Sequence, residues 1–549
     1  MRSFICLLVL SSLLSNSVSA DSINYAPLNQ TATNQTALKQ AAHQKSTSSN
    51  DSVTPPLQSN HWYQQGEAWL KNKVTTLESL SSPLQQKEQG AKNIILFLGD
   101  GMSITTLTAA RIWQGQQQGQ SGEENFLHFE HFPHTALIKT YNTNQQTPDS
   151  AGTMSAIMTG VKTRAGLISM GPEQDRTDCQ GSSQHHQQTL LEWGHQQGIN
   201  TGVVTTARLT HATPAATYAH SPERSWEGDY DRHPNAYWYG CDSIAKQLVK
   251  TAFPAGLDLA LGGGRSKLES YYDTFNQQFP NGSLLTNKQA LSDWNQALLA
   301  SRFSHQKEAK TGPVLGVFSS GHMDFEMDRR AAQPSLKQMT EQAINYFQAR
   351  NGRYVLVIES ARIDHAHHNG NAARALAETA MLSSTVQVAD DMTDDEDTLI
   401  IVTADHSHTF LMAGYPKRGN PILGVSKNQK NEVVLANDGM PYTSLGYANG
   451  KEYGRKKSAE EFLHSEDKNF IQEAGIALAV ETHGSDDVAL HAKGPGSYLF
   501  SGLMEQNEIF HTIQQALLTN GLNDLDSLND LDSLNDLDGS SDLTAGKDQ

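Results

Sequence analysis

Short, continuous runs of apolar and β-branched residues recur along this 549-residue chain, and helical or loop segments separate them. The runs are Asn93–Leu98, Gly202–Thr206, Leu257–Leu261, Val314–Phe318, Tyr354–Ile358 and Thr398–Thr403. Runs that are apolar at nearly every position indicate strands buried on both faces, and their alternation with helices favours a parallel sheet. The pattern therefore predicts an α/β fold with a central, mainly parallel sheet and helices on both of its faces.

Several of these runs lead directly into carboxylates or imidazoles. The residues concerned are Asp100 after the first run, His211 and Thr213 after the second, Glu359, Asp364, His365 and His368 after the fifth, and Asp405 and His406 after the sixth. The carboxyl ends of parallel strands meet at one edge of a sheet, where such folds place their chemistry. Buried carboxylates at one edge are costly unless a cation compensates their charge. The sequence thus predicts a metal site, with zinc favoured by mixed Asp and His ligands and magnesium by oxygen ligands.

Spacing narrows which of these residues share a metal. Asp364 and His368 are four residues apart and would lie on one helix face, although His367, three residues from Asp364, fits by geometry as well. Asp405 and His406 are adjacent, so both reach one metal only from a loop or a strand end, which is where they occur.

Residues 147–160 read TPDSAGTMSAIMTG, in which an Asp-Ser pair precedes a segment with helical apolar spacing. Asp149 and Ser150 are good helix N-caps, and capping alone would explain them. Alternatively, a serine at a helix N-terminus beside metal ions is a nucleophile, because the helix end favours an incoming phosphate. The predicted metal site favours the second interpretation, since a metal pair suits the very slow hydrolysis of phosphate monoesters.

Two further side chains stay ambiguous on their own. Arg224 is either a surface arginine or a clamp that holds phosphate oxygens through two parallel hydrogen bonds. His483 is either a further metal ligand or an ordinary histidine of the surface or core.

The N-terminus and the cysteines indicate export. Residues 1–20 combine a basic start, a mostly apolar run from Ile5 to Leu14 and a small-residue cleavage site, which is typical of a secretory signal peptide. An uncleaved anchor is the alternative, but the run is shorter than the ~20 residues that span a bilayer. Export favours one disulfide between the remaining Cys179 and Cys241 over two free thiols. We therefore expect a periplasmic or secreted protein.

Composition suggests the domain boundaries. Residues 21–60 are rich in Gln, Asn, Thr and Ser and are predicted to form a disordered linker before a folded domain over 61–518. Residues 519–549 form an acidic, low-complexity tail with LNDLDS repeats, predicted to be a solvated extension; calcium binding is the alternative, but turn glycines are lacking. The net charge is −18, of which residues 521–549 contribute −7, and this excess of acid argues against nucleic-acid binding.

Seven segments occur in one order along the chain: KNIILFLGDGM, TPDSAGTMSAIMTGVKTRAG, THATPAATYAH, ESARIDHAHH, TADHSHTF, GYPKRGNPILGV and ETHGSDDVAL. Together they closely resemble the alkaline phosphatases, and the animal-type branch more than the enteric bacterial one. The resemblance extends from about Trp62 to Leu518. It implies an exported, metal-dependent phosphate monoester hydrolase with a phosphoserine intermediate, a broad substrate range and an alkaline pH optimum.

The resemblance also implies a role for each site residue. Ser150 would be the nucleophile that becomes phosphorylated, Arg224 would hold the phosphate, and Asp149 would orient Arg224. The implied cofactors are two zinc ions and one magnesium ion per chain. Their implied ligands are Asp364, His368 and His483 for the first zinc, Asp100, Asp405 and His406 for the second zinc, and Asp100, Thr213 and Glu359 for the magnesium. His365 would contact phosphate through water, and His211 would lie near the third site, which leaves open whether magnesium or zinc occupies it.

The resemblance extends to assembly, with some departures. Cys179 and Cys241 match the positions of a disulfide in animal-type relatives. Residues 415–456 resemble the inserted crown loop at the dimer interface of the family, which implies a homodimer. Ser319 stands where relatives carry an acidic calcium ligand, so a peripheral calcium site is not expected. The tail has no terminal apolar stretch, so no lipid or membrane anchor is expected.

Three other functions fit the sequence less well. Sulfatases need a Cys or Ser in a C/S-x-P-x-R context, which Ser150-Ala151-Gly152 does not provide. Phosphodiesterases typically use threonine and lack a phosphate-clamping arginine, so Ser150 together with Arg224 favours monoesters. A metal-holding scaffold with a dead site is a third alternative, against which the complete set of expected site residues argues.

Overall fold

The computed structural model describes residues 60–80, 90–303 and 312–518. The predicted signal peptide at 1–20, the linker at 21–60 apart from Asn60, and the acidic tail at 519–549 lie outside the described residues.

Strands of the described residues form one large sheet and two small ones. In chain order they are β1 Asn93–Gly99, β2 His134–Lys139, β3 Asn200–Arg208, β4 Leu257–Gly263, β5 Ser283–Leu285, β6 Val314–Val317, β7 Tyr354–Ser360, β8 Thr398–Ala404, β9 Ser407–His408, β10 Phe410–Met412, β11 Leu445–Gly450, β12 Ala474–Ala477, β13 His483–Gly484, β14 Val488–Lys493 and β15 Gly502–Glu505. The large sheet has the order β15-β2-β14-β8-β1-β7-β3-β4-β6-β5, and the small ones have the orders β10-β11-β12 and β13-β9.

All the apolar runs of the sequence are strands of the large sheet, namely β1, β3, β4, β6, β7 and β8. They are neighbours in the sheet, and each adjacent pair is parallel. Every residue of β1, β7 and β8 is buried, so both faces of the sheet are covered there. The predicted α/β fold is confirmed. The sequence did not predict β14, which runs antiparallel between β8 and β2 and makes the sheet mixed.

Helices flank the sheet. Within the described residues they are α1 His61–Leu80, α2 Ile104–Gln117, α3 Ser150–Thr159, α4 Leu190–Gln196, α5 Ala212–Ala215, α6 Pro234–Tyr239, α7 Ile244–Gln247, α8 Arg265–Leu268, α9 Tyr272–Gln278, α10 Lys288–Phe303, α11 Leu336–Ala349, α12 Arg362–His368, α13 Ala372–Met392, α14 Ala459–Leu463 and α15 Glu508–Leu518. Among these described helices, none has the length and apolar character needed to cross a membrane.

The register of the central strands brings their carboxyl ends level. Gly99 at the end of β1 lies opposite Ser360 of β7 on one side and Ala404 of β8 on the other. Asp100 and Asp405 are the next residues of their strands, so they emerge side by side. Glu359 precedes Ser360 on β7, on the other side of β1, so these predicted strand-end residues meet at one place.

The helix α3 starts and ends at residues suited to those positions. Asp149 is its N-cap, and its side chain accepts a hydrogen bond from the backbone N–H of Gly152. Gly160 follows the last turn with φ 71°, a left-handed conformation that glycine adopts without a Cβ clash. Asp149 thus does the capping, and Ser150 is the first residue of a helix that is buried throughout.

The outer parts of the domain include the two cysteines and residues 415–456. Cys179 and Cys241 form a disulfide, which confirms the expected bridge and closes a segment that contains Arg224. Residues 415–456 consist largely of turns and isolated bridges and contain β11, which joins β10 and β12 in a small sheet.

Candidate active site

Ser150 faces His406 across the end of the sheet. Its Oγ lies 3.0 Å from Nε2 of His406, and Nδ1 of His406 lies 3.2 Å from the carbonyl oxygen of Ser407. A carbonyl oxygen only accepts, so Nδ1 carries the proton and Nε2 has the lone pair. Burial and the neighbouring His483 hold the pKa of His406 well below its usual value, so the ring is neutral. Ser150 therefore donates its hydroxyl hydrogen to Nε2 of His406.

Asp149 and Arg224 form a fixed pair at the start of α3. Nη1 of Arg224 donates to Oδ2 of Asp149 at 2.8 Å, and the backbone N–H of Gly166 donates to the same oxygen at 3.0 Å. The backbone N–H of Gly152 and the side chain of Asn142 donate to Oδ1. Burial alone would raise the pKa of Asp149, but Arg224 and these N–H groups hold it below its usual value. Asp149 therefore stays ionised and holds the guanidinium group in place.

Asp100, Asp405 and His406 form a buried group at the ends of β1 and β8. Each offers one potential ligand atom within 4.8 Å of the other two. Oδ1 of Asp405 accepts from the backbone N–H groups of Gly101 and His406, at 3.0 and 2.9 Å. Neither carboxylate oxygen of Asp100 has a hydrogen-bond partner. Burial and the charges of Asp405 and Asp364 raise the pKa of Asp100 well above its usual value. A bound cation would satisfy this carboxylate.

A second group lies between α12 and His483. Oδ1 of Asp364 is 3.3 Å from Nε2 of His368 and 3.3 Å from Nε2 of His483, and these two nitrogens are 3.1 Å apart. Nδ1 of His368 lies 2.6 Å from the carbonyl oxygen of Glu481, and Nδ1 of His483 lies 2.8 Å from that of Pro148. Each Nδ1 must therefore carry the proton, and each Nε2 presents a lone pair. Two lone pairs cannot hydrogen-bond to each other, whereas a cation between them and Asp364 would satisfy all three groups.

His408 was not among the predicted site residues. Its Nε2 lies 2.7 Å from Oδ1 of Asp364, and its Nδ1 lies 2.6 Å from Oε2 of Glu481. Burial alone would lower the pKa of His408, but the carboxylates of Glu481 and Asp364 raise it to about 10. Both nitrogens therefore donate, and His408 orients Asp364 without offering a lone pair to a metal. Its position two residues after His406 in an extended segment was the available sequence signal.

The third group is built mainly from oxygen atoms around Glu359. Asp100, His211 and Glu359 each offer one potential ligand atom within 4.8 Å of the others. Oε2 of Glu359 accepts from the hydroxyl of Thr205, whereas Oε1 of Glu359 and the hydroxyl of Thr213 are buried without a hydrogen-bond partner. Burial raises the pKa of Glu359 to about 8, against an opposing effect of Thr205 and Thr213. Unpaired, buried oxygen atoms of this kind suit a hard cation.

His367 and His368, which the helix spacing could not tell apart, have different contacts in the structure. Nε2 of His367 lies 2.9 Å from the hydroxyl of Thr106, and Nδ1 lies 2.9 Å from the hydroxyl of Tyr447. His367 is therefore occupied by the packing of α12 against α2 and β11, and His368 is the residue that meets Asp364.

His211 lies next to Arg224, and its ring packs against His365 and against His322, which the sequence did not single out. Nη2 of Arg224 is 3.4 Å from Nε2 of His211. The ring centroids of the three histidines are 5.2 Å apart for His211 and His322, 5.5 Å for His211 and His365, and 4.2 Å for His322 and His365. Burial and the nearby His211 and Arg208 lower the pKa of His322 to about 2, so this ring is neutral.

These groups form one continuous site. The rings of His406 and His483 stack with their centroids 3.6 Å apart, which joins the first two groups. Asp100 belongs both to the group of Asp405 and His406 and to that of Glu359. His211 links the latter to Arg224. The structure thus brings the site residues named from the sequence together at the carboxyl edge of the sheet.

A model of the alkaline phosphatase family matches residues 91–519. The chain belongs to the alkaline phosphatase family. It is 39% identical over 472 residues to the tissue-nonspecific alkaline phosphatase isozyme of Gallus gallus, which covers 82% of this chain and 89% of that protein. Membership of the family makes the chain a phosphoric monoester hydrolase and confirms the resemblance found in the sequence.

Solved alkaline phosphatase structures share the fold. The enzyme of the Antarctic bacterium TAB5 aligns with a TM-score of 0.54 and 20% identity, over 79% of this chain and 100% of that one. A histidine variant of the TAB5 enzyme with magnesium bound in its M3 site aligns with a TM-score of 0.55 and 21% identity, over the same shares.

Proposed function

We propose that this alkaline phosphatase is an exported, metal-dependent enzyme that hydrolyses phosphate monoesters through a phosphoserine at Ser150. It has a broad substrate range and an alkaline pH optimum. The observation that carries the proposal is the position of Ser150. Its hydroxyl lies at the start of α3, 3.0 Å from His406 and beside the Asp149–Arg224 pair. A nucleophilic serine, a candidate metal ligand and a phosphate-binding arginine thus lie together at one helix N-terminus.

The proposal includes two zinc ions and one magnesium ion. The proposed ligands are Asp364, His368 and His483 for the first zinc, Asp100, Asp405 and His406 for the second, and Asp100, Thr213 and Glu359 for the magnesium. The convergent Nε2 lone pairs and the unpartnered oxygens of Asp100, Glu359 and Thr213 support this assignment. Magnesium in the M3 site of the TAB5 variant supports the third ion. When bound, such ions lower the pKa of coordinated hydroxyl groups and offset the charge of phosphate oxygens.

In the first step Ser150 supplies the attacking oxygen. A bond forms between Oγ and phosphorus while the bond from phosphorus to the ester oxygen breaks, and the hydroxyl proton passes to solvent. The departing alkoxide takes a proton from water and leaves as the alcohol. The N-terminus of α3 favours the negative charge of the phosphate at this point.

Arg224 holds the phosphate during both steps. Asp149 fixes Nη1, so the rest of the guanidinium group is available to donate to phosphate oxygens in a set orientation. His365 contacts the phosphate through water, and His211 supports Arg224 from the side of the third metal.

In the second step water replaces Ser150 on phosphorus. The bond between phosphorus and Oγ breaks, inorganic phosphate forms, and Ser150 regains a proton. Two successive in-line displacements each invert the configuration at phosphorus, so the overall reaction retains it.

A monoester fits this site better than a diester. A monoester phosphate has three free oxygens, so some of them can contact Arg224 while the rest face the metal groups. A diester has two free oxygens and places a second alcohol where Arg224 and Asp149 lie. The hydroxyl of Ser150, 3.0 Å from His406 at the start of α3, favours catalysis over a scaffold that only holds metal.

The remaining parts of the proposal concern location and assembly. Residues 1–20 direct export to the periplasm or the medium, and the acidic net charge of −18 disfavours nucleic acid as a partner. Residues 415–456 contribute to a homodimer interface. A peripheral calcium site is not part of the proposal, because the hydroxyl of Ser319 donates to the carbonyl oxygen of His322 and no acidic group stands in its place.

Hydrolysis of p-nitrophenyl phosphate and of bis(p-nitrophenyl) phosphate at alkaline pH tests the proposal. Each substrate is assayed before chelation, after chelation, and after zinc and magnesium are restored. We expect turnover of the monoester that stops on chelation and returns with metal. Preference for the diester, or no turnover with zinc bound, would overturn the proposal.

A further inference from the structure

The surroundings of His322 contain more hydrogen-bond donors than acceptors. The backbone N–H of Arg208 points to Nδ1 of His322 at 3.3 Å, and Nη1 of Arg208 points to Nε2 of the same ring. A neutral imidazole has one acceptor nitrogen, so one of these donors is left without a partner. Nδ1 of His211 and Nδ1 of His365 are also buried without a hydrogen-bond partner.

The remaining donors of Arg208 are already used. Its Nε and Nη2 donate to the two carboxylate oxygens of Glu227, at 2.7 and 2.5 Å. Glu227 also accepts from the hydroxyl of Thr210. Glu227 therefore fixes Arg208 with Nη1 turned towards His322, but it does not reach the histidines.

A second arginine at this place has no carboxylate of its own. Arg362 stacks over the ring of Phe325 at 3.8 Å, and its Nε is buried without a hydrogen-bond partner. In the described parts of the chain no carboxylate forms a salt bridge with it. Of the carboxyl groups near it, Asp324 is held by two hydrogen bonds from the Arg330 side chain, Glu378 accepts from the backbone N–H of Glu326, and Asp364 is paired with His408. The charge of Arg362 is therefore poorly compensated.

The hydrogen-bond donors around His322 and Arg362 adjoin the proposed phosphate position. Nη2 of Arg224 is 3.4 Å from His211, and His211 packs against both His322 and His365. A phosphate on Arg224 would thus lie beside His211, and the charge of Arg362 acts on the other two histidines.

We propose that Arg208, His211, His322, Arg362 and His365 form a subsite for a second anionic group of the substrate. The subsite favours phosphate compounds whose leaving group carries a carboxylate or a further phosphate close to the bond that breaks. An anion there accepts from the unpartnered N–H groups and offsets the charge of Arg362. The inference rests on the proposed function and names a substrate class for it.

A metal ion on the three histidines is the competing assignment, since one ligand atom from each lies within 4.8 Å of the others. Both nitrogens of His322, however, face N–H groups of Arg208, and the adjacent arginines repel a cation. The same arginines attract an anion, so the charges favour the anion subsite.

The test compares substrates that differ in the second group. They are 2-phosphoglycolate, with a carboxylate; pyrophosphate, with a second phosphate; and 2-hydroxyethyl phosphate, which is neutral at that position. The readout is the ratio of kcat/KM for each anionic substrate to kcat/KM for 2-hydroxyethyl phosphate, measured on the same metal-loaded sample. This ratio does not depend on the fraction of folded enzyme, so a partly unstable variant remains informative.

Two variants alter the subsite differently. Arg362→Met keeps an apolar stem over Phe325 but removes the charge, and His322→Asp places a carboxylate between the two arginines. We expect both to lower the ratio about tenfold, as the loss of a charge-assisted hydrogen bond predicts. Arg418→Met is the matched control, because it removes an exposed arginine that pairs with Glu124. Its ratio should equal that of the wild type.

Three other outcomes would contradict the subsite or the proposed function, and each can be distinguished from the others. Unchanged ratios in both variants, with 2-hydroxyethyl phosphate still hydrolysed, would overturn the subsite and leave the proposed function standing. Loss of one metal equivalent per chain in His322→Asp, measured by mass spectrometry, would overturn the subsite by showing that a metal ion, and not an anion, binds there. Failure of the wild type to hydrolyse any of the three substrates would overturn the proposed function itself.

Discussion

Nε2 of His368 and Nε2 of His483 lie 3.1 Å apart, and both are lone-pair nitrogens because each Nδ1 donates to a backbone carbonyl. A cation between the two rings would satisfy both lone pairs. We expect His483→Ala to lower the zinc content by about one equivalent per chain, a number that follows from the loss of one of three ligands in one site. Elemental analysis by mass spectrometry measures it. His131→Ala, which alters an exposed histidine, should keep full zinc.

In the metal-free protein, replacing the buried carboxylate of Asp100 should raise the stability of the fold. This is the reverse of what we expect when the metals are bound. Burial and neighbouring charges raise the pKa of Asp100, so at pH 8 the metal-free protein must either protonate this group or bury its charge. Asp100→Asn avoids that cost. We expect a higher midpoint of urea unfolding than for the wild type when both are metal-free, and a lower one when both are metal-loaded. Equal midpoints without metal would contradict the strain assigned to Asp100.

Asp405→Asn is the matched comparison for this prediction. Asp405 accepts hydrogen bonds from Gly101, His406 and Thr153, so its charge is already stabilised by donors. We therefore expect a smaller gain in the metal-free protein than Asp100→Asn gives.

The Asp149–Arg224 pair should control phosphate affinity. Asp149→Asn keeps an oxygen for the helix cap but removes the charge that fixes Arg224. We expect the inhibition constant of inorganic phosphate to rise about tenfold, as the loss of one hydrogen bond between charged groups predicts. Asp175→Asn, which releases Arg164 at an exposed salt bridge, should leave the constant unchanged. A similar rise in both variants would contradict the specific role of Asp149.

Glu378 should make folding less favourable as the pH rises. Burial raises its pKa from 4.5 to about 7, so the unfolded chain ionises first and the folded state loses relative stability between about pH 4.5 and 7. Glu378→Gln keeps the oxygen that accepts from the backbone N–H of Glu326. We expect this variant to gain up to about 3 kcal/mol over the wild type between pH 4.5 and 7.5.

Unfolding by urea at saturating metal, repeated at several pH values, measures this difference. Glu396→Gln changes an exposed carboxylate and should show no such trend. A gain that is the same at every pH would mean that Glu378 is ionised in the folded state.

The sequence predicted the centre of the fold better than its margin. The apolar runs that became β1, β7 and β8 are buried on both faces, so their composition alone identified them. The strand β14 alternates between buried and half-buried residues, and β2 likewise has an exposed face. Such segments lack the continuous apolar run by which the central strands were identified, and their place in the sheet is fixed by the pairing of β14 with β8 and β2.

Contacts between distant segments limited what could be inferred about the site. Helix spacing could not separate His367 from His368, because the difference lies in Thr106 and Tyr447, which are remote in sequence. His408 escaped notice because its role depends on Glu481, which lies on another segment. The role of His322 likewise depends on its contact with Arg208, which lies far from it in sequence.

The most direct test of the account is the site of phosphorylation. The metal-loaded enzyme is mixed with p-nitrophenyl phosphate, quenched in acid within the first turnovers and digested for mass spectrometry, with Ser150→Ala and Ser155→Ala treated in parallel. Ser155 lies in the same helix, and its hydroxyl donates to a backbone carbonyl instead. The account predicts phosphate on Ser150 in the wild type and in Ser155→Ala, and none in Ser150→Ala although its metals remain bound. Phosphate on another residue, or turnover that persists in Ser150→Ala, would contradict it.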